Sequence, residues 1–137
     1  MENLQNYINE LKKSTTQLYQ LFPTIDKKID LLQFYRDKYL DTDGRINDVC
    51  DESKIKRMID LRNENIRMMI KINKLFDKII RAICCPQFGL MKVPYFHELA
   101  DNYKRMIKLN IEVMKKFRKS VLSLNTSELY FHMESIC

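Results

Sequence analysis

Apolar residues recur along this chain at spacings that alternate between four and three. Leu4, Ile8, Leu11, Thr15, Leu18 and Phe22 follow a 4-3-4-3-4 rhythm. Such a rhythm lines one face of a helix and forms a heptad seam. Pro23 has no amide N–H and its ring crowds the preceding turn, so a break or kink is expected there. Thr24 is placed to cap a second helix, along which Ile25, Ile29, Leu32, Tyr35 and Tyr39 share a side. Asp41-Thr42-Asp43-Gly44 then reads as a turn.

The strongest helical pattern follows. Asp51-Glu52-Ser53 offers capping oxygens and negative charge at a helix start. Ile55, Ile59, Arg62, Ile66, Met69, Asn73, Phe76, Ile80 and Ile83 keep one stripe, and Met58, Met68, Ile72, Leu75 and Ile79 keep a second. Two stripes make a wide apolar face that needs more than one neighbour. A helix over 52–84 would run about 50 Å at 1.5 Å per residue. Cys84 to Gly89 stops it, and Pro94 suits the first turn of the next. There Leu99, Tyr103, Met106, Asn110, Val113 and Phe117 resume the rhythm. Around Asn125-Thr126-Ser127-Glu128 the chain can break and recap into a short helix through Leu129, Tyr130, Met133 and Ile136.

The pattern predicts an all-α fold, an elongated antiparallel helical bundle of four main helices plus a short C-terminal helix. At 137 residues it reads as a single domain over 1–137. Only two glycines and three prolines occur, too few for the tight turns of an all-β chain. Gly44 and Gly89 stand far apart, which leaves no glycine-rich loop to cradle a phosphate. Abundant Ile, Lys, Asn, Tyr and Met beside scarce Ala, Gly and Pro match the amino-acid usage of AT-rich genomes, such as those of large DNA viruses.

Candidate chemistry is thin. Asp41, Asp43, Gly44 and Ile46 briefly resemble a calcium loop, but Tyr39 and Cys50 fall where its first and last carboxylates belong. Cys84 and Cys85 are adjacent, and His97, His132 and Cys137 lie at no zinc-like spacing. Cys85, His97 and Glu98 form a conceivable nucleophilic group that nothing in the spacing singles out. The reading is non-enzymatic, with no cofactor and no metal. No apolar leader is expected from Met1-Glu2-Asn3-Leu4, and the longest uncharged run, Ser14 to Ile25, is twelve residues, with Ala82 to Met91 next at ten. That is too short for a transmembrane segment. With four cysteines read as free thiols, an intracellular protein, cytoplasmic or nuclear, is expected.

Charge changes the picture most. The chain carries a net charge of +6, with a local excess of six over residues 54–81 and five over 101–119, against −5 elsewhere. Arg67, Lys71, Lys74, Lys78 and Arg81 form one stripe, and Lys104, Lys108, Lys115 and Lys119 another, interrupted by Glu112. If their helices pair around a turn near residue 90, the stripes should run side by side as a polyanion surface. In the same register Asn73 and Asn110 should meet within one helical turn in the apolar seam. Two functions follow. The first is an interaction or scaffold protein that pairs with itself or a protein partner through an apolar seam, with Leu4, Ile8, Leu11 and Leu18 as knobs. The alternative is nucleic-acid binding through the basic face, by phosphate contacts without base recognition.

Overall fold

The computed structural model describes the backbone of residues 2–83 and 95–136 and the side chains of 5–82, 98 and 100–134. Within it the chain is all-α: α1 (Glu2–Tyr39), α2 (Glu52–Ile83), α3 (Tyr95–Phe117), a π-helical segment (Arg118–Leu122) and α4 (Thr126–Ile136). Three main helices and a short last one replace the expected four plus a short fifth. Pro94 and the Cys84–Gly89 stop lie outside the described residues.

The difference arises at Pro23, which sits inside a continuous 38-residue helix. Ile8, Leu11, Thr15, Leu18, Phe22, Ile25, Ile29, Leu32 and Tyr39 are all buried. Their spacing keeps the heptad rhythm straight across the proline, with Thr15 and Arg36 at the two positions that are not apolar. A helix-interior proline costs about 3 kcal/mol, whereas each fully buried Leu, Ile or Phe contributes about 1.5–3 kcal/mol. The seam residues on both sides therefore outweigh it. The ring itself faces solvent. Thr24 caps nothing; its hydroxyl donates to the Gln20 carbonyl at 3.1 Å, one turn back in the same helix.

α1 turns back into α2 through a short tied loop. Leu40 and Ile46 form an isolated antiparallel bridge. The Asp41 N–H donates to the Arg45 carbonyl at 2.8 Å. The Asp41 carboxylate accepts from the N–H groups of Asp43 at 2.9 Å and Arg45 at 2.8 Å. Both bonds end on Oδ1, so the carboxylate ties the turn to its own backbone. Gly44 takes φ +81°, which an L side chain rarely adopts. Asp51 caps α2, accepting from the Lys54 N–H at 3.0 Å and the Ser53 hydroxyl at 2.8 Å. The Ser53 bond, followed by the Lys54 bond, holds the Asp51 carboxyl below the ordinary aspartate value.

The α1–α2 pair is antiparallel: Leu11 packs with Ala82, near one end of each helix, and Lys28 meets Glu64 and Asn65 midway. Lys28 Nζ lies 3.3 Å from Glu64 Oε2, and Asn65 Nδ2 donates to the Lys28 carbonyl at 3.3 Å. The face α2 presents runs through Met58, Leu61, Asn65, Met68, Ile72, Leu75, Ile79 and Ala82, each buried or partly buried. Asn65 is fully buried there, and its Oδ1 has no hydrogen-bond partner. Asn73 lies outside this seam and is exposed. It makes no hydrogen bond to Asn110, whose own buried Oδ1 is unpartnered. The expected Asn73–Asn110 pair does not form: both α2 stripes pack, with Ile55, Ile59 and Met69 of the first buried as well, and Asn73 is an exposed position within it.

α3 runs parallel to α1, since residue numbers rise together across their contacts. The Tyr19 hydroxyl donates to the Asn102 carbonyl at 3.1 Å. Lys116 Nζ donates to Asp26 at 2.6 Å and Asp30 at 2.8 Å. Those two bonds raise the Lys116 pKa. Being parallel to α1, α3 is antiparallel to α2, and the Phe76 and Tyr103 rings stack with centroids 5.9 Å apart. Arg36 closes this end: Nη1 donates to the Ser120 carbonyl at 2.6 Å and the Ser123 hydroxyl at 2.8 Å. A π-helical turn disturbs the regular carbonyl pairing, and the guanidinium supplies donors there. The Asn125 carboxamide oxygen then accepts from the Ser127 N–H at 3.0 Å and starts α4, which packs against α2. α2 thus meets α1, α3 and α4, as its wide apolar face requires.

Replacing Pro23→Ala restores an amide N–H within an otherwise regular helix. Thermal unfolding of this variant is expected at a higher temperature, by up to about 3 kcal/mol of added stability; an unchanged or lower midpoint contradicts a continuous α1. Asp51 bears on acid stability. Its folded pKa lies below the unfolded value, so its contribution is complete above the ordinary aspartate value and fades as pH falls through the folded one. Asp51→Ala should melt earlier than the parent at neutral pH. That gap should close under acid, below about pH 4. A gap that persists at pH 2 contradicts the cap.

Candidate interaction surfaces

All nine basic candidates are exposed: Arg67, Lys71, Lys74, Lys78 and Arg81 on α2, Lys104, Lys108 and Lys115 on α3, and Lys119 in the π-helical segment. Arg81 Nε pairs with Asp77 at 2.9 Å within its own helix. Among the described residues the other eight make no ion pair. The physical reason lies in helix phase. Each α2 candidate is about 140–180° around the helix from Phe76, the residue that meets α3. Each is also within about 100° of Glu64, which meets α1.

That phase corrects the expected arrangement. The α2 stripe does not run beside the α3 lysines; it flanks the outer groove between α1 and α2. Lys28 of α1 joins Arg67 and Lys71 of α2 around a shallow cavity of about 370 Å³, over Met68 and beside Glu64. Lys104, Lys108 and Lys115 stand about 100–140° around α3 from Tyr103. They form a separate face. Lys116, one residue along, is turned inward and bound to Asp26 and Asp30. Lys28 was not legible as part of a basic surface, because its place depends on the α1–α2 register. Only the number sum of antiparallel neighbours across the Asp41–Gly44 turn could have signalled it.

The proposed apolar knobs lie elsewhere. Ile8, Leu11 and Leu18 are buried within the chain itself, at 6%, 1% and 0% exposure. The Leu4 side chain lies outside the described residues. Apolar surface that does remain exposed includes Leu31 and Phe34 on α1, Ile70 on α2 and Ile111 on α3. Of the methionines, Met58, Met69 and Met106 are buried and Met68 and Met114 pack against the same core.

The Cys85 and His97 side chains lie outside the described residues. Among the described residues no group of three or more His, Cys, Asp or Glu side chains is placed to hold a metal ion. No helix among them is long and apolar enough to cross a membrane.

A second cavity, of about 510 Å³, opens between α1 and α3 at the level of Pro23. Phe22, Leu109 and Val113 line its apolar part, and Asp26, Glu112 and Lys116 its polar part. Compared with known proteins, the chain matches no family model, no curated protein and no solved structure.

Proposed function

We propose that this protein is a non-enzymatic helical module that holds the phosphate backbone of nucleic acid along the basic edge where α2 meets α1. The observation that carries the reading is the state of Arg67, Lys71, Lys74 and Lys78. They are exposed, aligned over three turns of one helix and without ion pairs among the described residues. Charges in that condition contribute little to folding and are available to release counterions from a polyanion. Lys28 extends the row onto α1. Backbone contacts of this kind position a duplex or single strand without reading its sequence. The setting that fits is intracellular, cytoplasmic or nuclear.

Pairing with a second copy or a protein partner is the other reading. What favours it is the exposed apolar surface at Leu31 and Phe34, rather than the α1 seam, whose described knobs are already covered by this chain.

Binding of a short labelled duplex, followed by fluorescence anisotropy across a salt series, separates the two. Four phosphate contacts give a slope of log K against log salt of about −3 to −4. Lys71→Glu, Lys74→Glu and Lys78→Glu combined should abolish binding, while the same changes at Lys104, Lys108 and Lys115 should weaken it only modestly. A flat salt dependence, or full binding by the α2 triple variant, contradicts the proposal.

A further inference from the structure

Of the eight large apolar side chains left exposed among the described residues, five fall on two patches of opposite charge. The first patch is the end of the bundle where the α1–α2 loop meets α4. Gly44, Arg45 and Ile46 line one cavity of about 540 Å³ together with Glu128, Phe131 and His132, so the loop and the helix form one surface. Val49 in this loop is 74% exposed, and on α4 Phe131 is 66% and Tyr130 50% exposed. Residues 41–52 hold Asp41, Asp43, Asp48, Asp51 and Glu52 against Arg45, and α4 adds Glu128 and Glu134, a net charge of −6 with His132 neutral. Basic residues resume on the flanking helix turns, at Lys38 and Lys54.

The second patch lies along α3. Lys104, Lys108, Ile111 and Lys115 follow a 4-3-4 spacing and are all exposed. They stand within about 60° of one another around the helix. Arg118 and Leu122, also exposed, follow in the π-helical segment. Ile111 is 50% and Leu122 51% exposed. The acidic residues of this helix side, Asp101 and Glu112, lie off the row, about 80–100° from Ile111.

We infer that the acidic end of one copy docks on the α3 row of a second copy. The patches carry opposite charge, and each exposes apolar side chains for the other to cover. The Tyr130 and Phe131 rings lie against Ile111 and Leu122. Their faces attract the neighbouring lysine and arginine cations, whose stems are themselves apolar. Glu128 and Glu134, on either side of the rings along α4, pair with the ammonium groups of the row. All of these side chains are exposed in the folded chain, so the two patches do not cover each other within one copy. Because the patches differ, each copy keeps one of each after pairing, and growth continues until a ring closes. Neither patch includes the α2 edge, Leu31 or Phe34, so self-assembly and nucleic-acid binding can fail separately.

Sedimentation equilibrium of the full chain over a range of concentrations reads the assembly, with far-UV circular dichroism to confirm that each variant is folded. The parent's mass should rise above the 16.6 kDa of one chain as concentration increases. Lys104→Glu, Lys108→Glu and Lys115→Glu combined should hold it at one chain. So should Asp43→Lys, Glu128→Lys and Glu134→Lys combined; Asp41 and Asp51 stay in place because they tie the turn and cap α2. An equimolar mixture of these two triple variants should associate again, since each reversed patch then meets its opposite. Tyr130→Ser with Phe131→Ser leaves the net charge unchanged and should weaken association about tenfold or more, as truncated interface aromatics do. The α2 triple glutamate variant should associate as the parent does. A parent that stays monomeric at every concentration, a mixture that stays monomeric, or full association by either triple variant of the two patches overturns the inference.

Discussion

The antiparallel contact between α1 and α2 sets everything else in this molecule. Its interior is a run of Leu, Ile, Phe and Met side chains held at heptad spacing on both helices, most of them almost wholly removed from water. Apolar burial has no direction of its own, so register needs a polar device. Here Lys28 is addressed twice from α2, by Glu64 at its ammonium and by Asn65 at its carbonyl. Asn65 sits in the seam where leucine would bury more apolar surface. A single polar residue in such a seam commonly trades stability for one fixed register.

Consequences for the surface follow from that register. Once α2 commits the Met58–Asn65–Ile72–Ile79 face inward, the opposite side carries Arg67, Lys71, Lys74 and Lys78 outward. Lys28 arrives beside them from α1. The same commitment turns α1 so that Asp26 and Asp30 face α3, where Lys116 neutralises them in part. One packing choice therefore produces a cationic edge on the α1–α2 side and an ion-paired contact on the α1–α3 side. An unpaired edge of one sign governs what approaches that face.

The sequence pattern carried much of this. α2 begins at Glu52 and ends at Ile83, against an expected 52–84, because a cap at Asp51 and an unbroken apolar rhythm are local signals. The Asn125 recap and the Gly44 turn are equally local. Pro23 was misleading, since proline propensity is a local cost and the heptad that overrides it is a tertiary gain spread over about nine turns, from Ile8 to Tyr39. Helix phase on α2 was ambiguous for a related reason. Two stripes both satisfied the rhythm and both are largely buried, and which neighbour each meets depends on where α1 and α3 lie. The Asn73–Asn110 pairing and the side-by-side basic stripes failed together on that point. Arg36 was unreadable from spacing, because its acceptors, the Ser120 carbonyl and Ser123 hydroxyl, belong to a π-helical turn far along the chain.

The account rests on the α1 seam being closed by α2 of the same chain, and zero-length carbodiimide cross-linking tests this directly. Equal amounts of light and ¹⁵N-labelled protein are mixed, unfolded, refolded together and cross-linked, and the peptides joining Lys28 to Glu64 are weighed. These two groups lie 3.3 Å apart, within reach of a direct amide bond. The account predicts light–light and heavy–heavy peptides alone. Mixed light–heavy peptides, or no Lys28–Glu64 product at all, would contradict it.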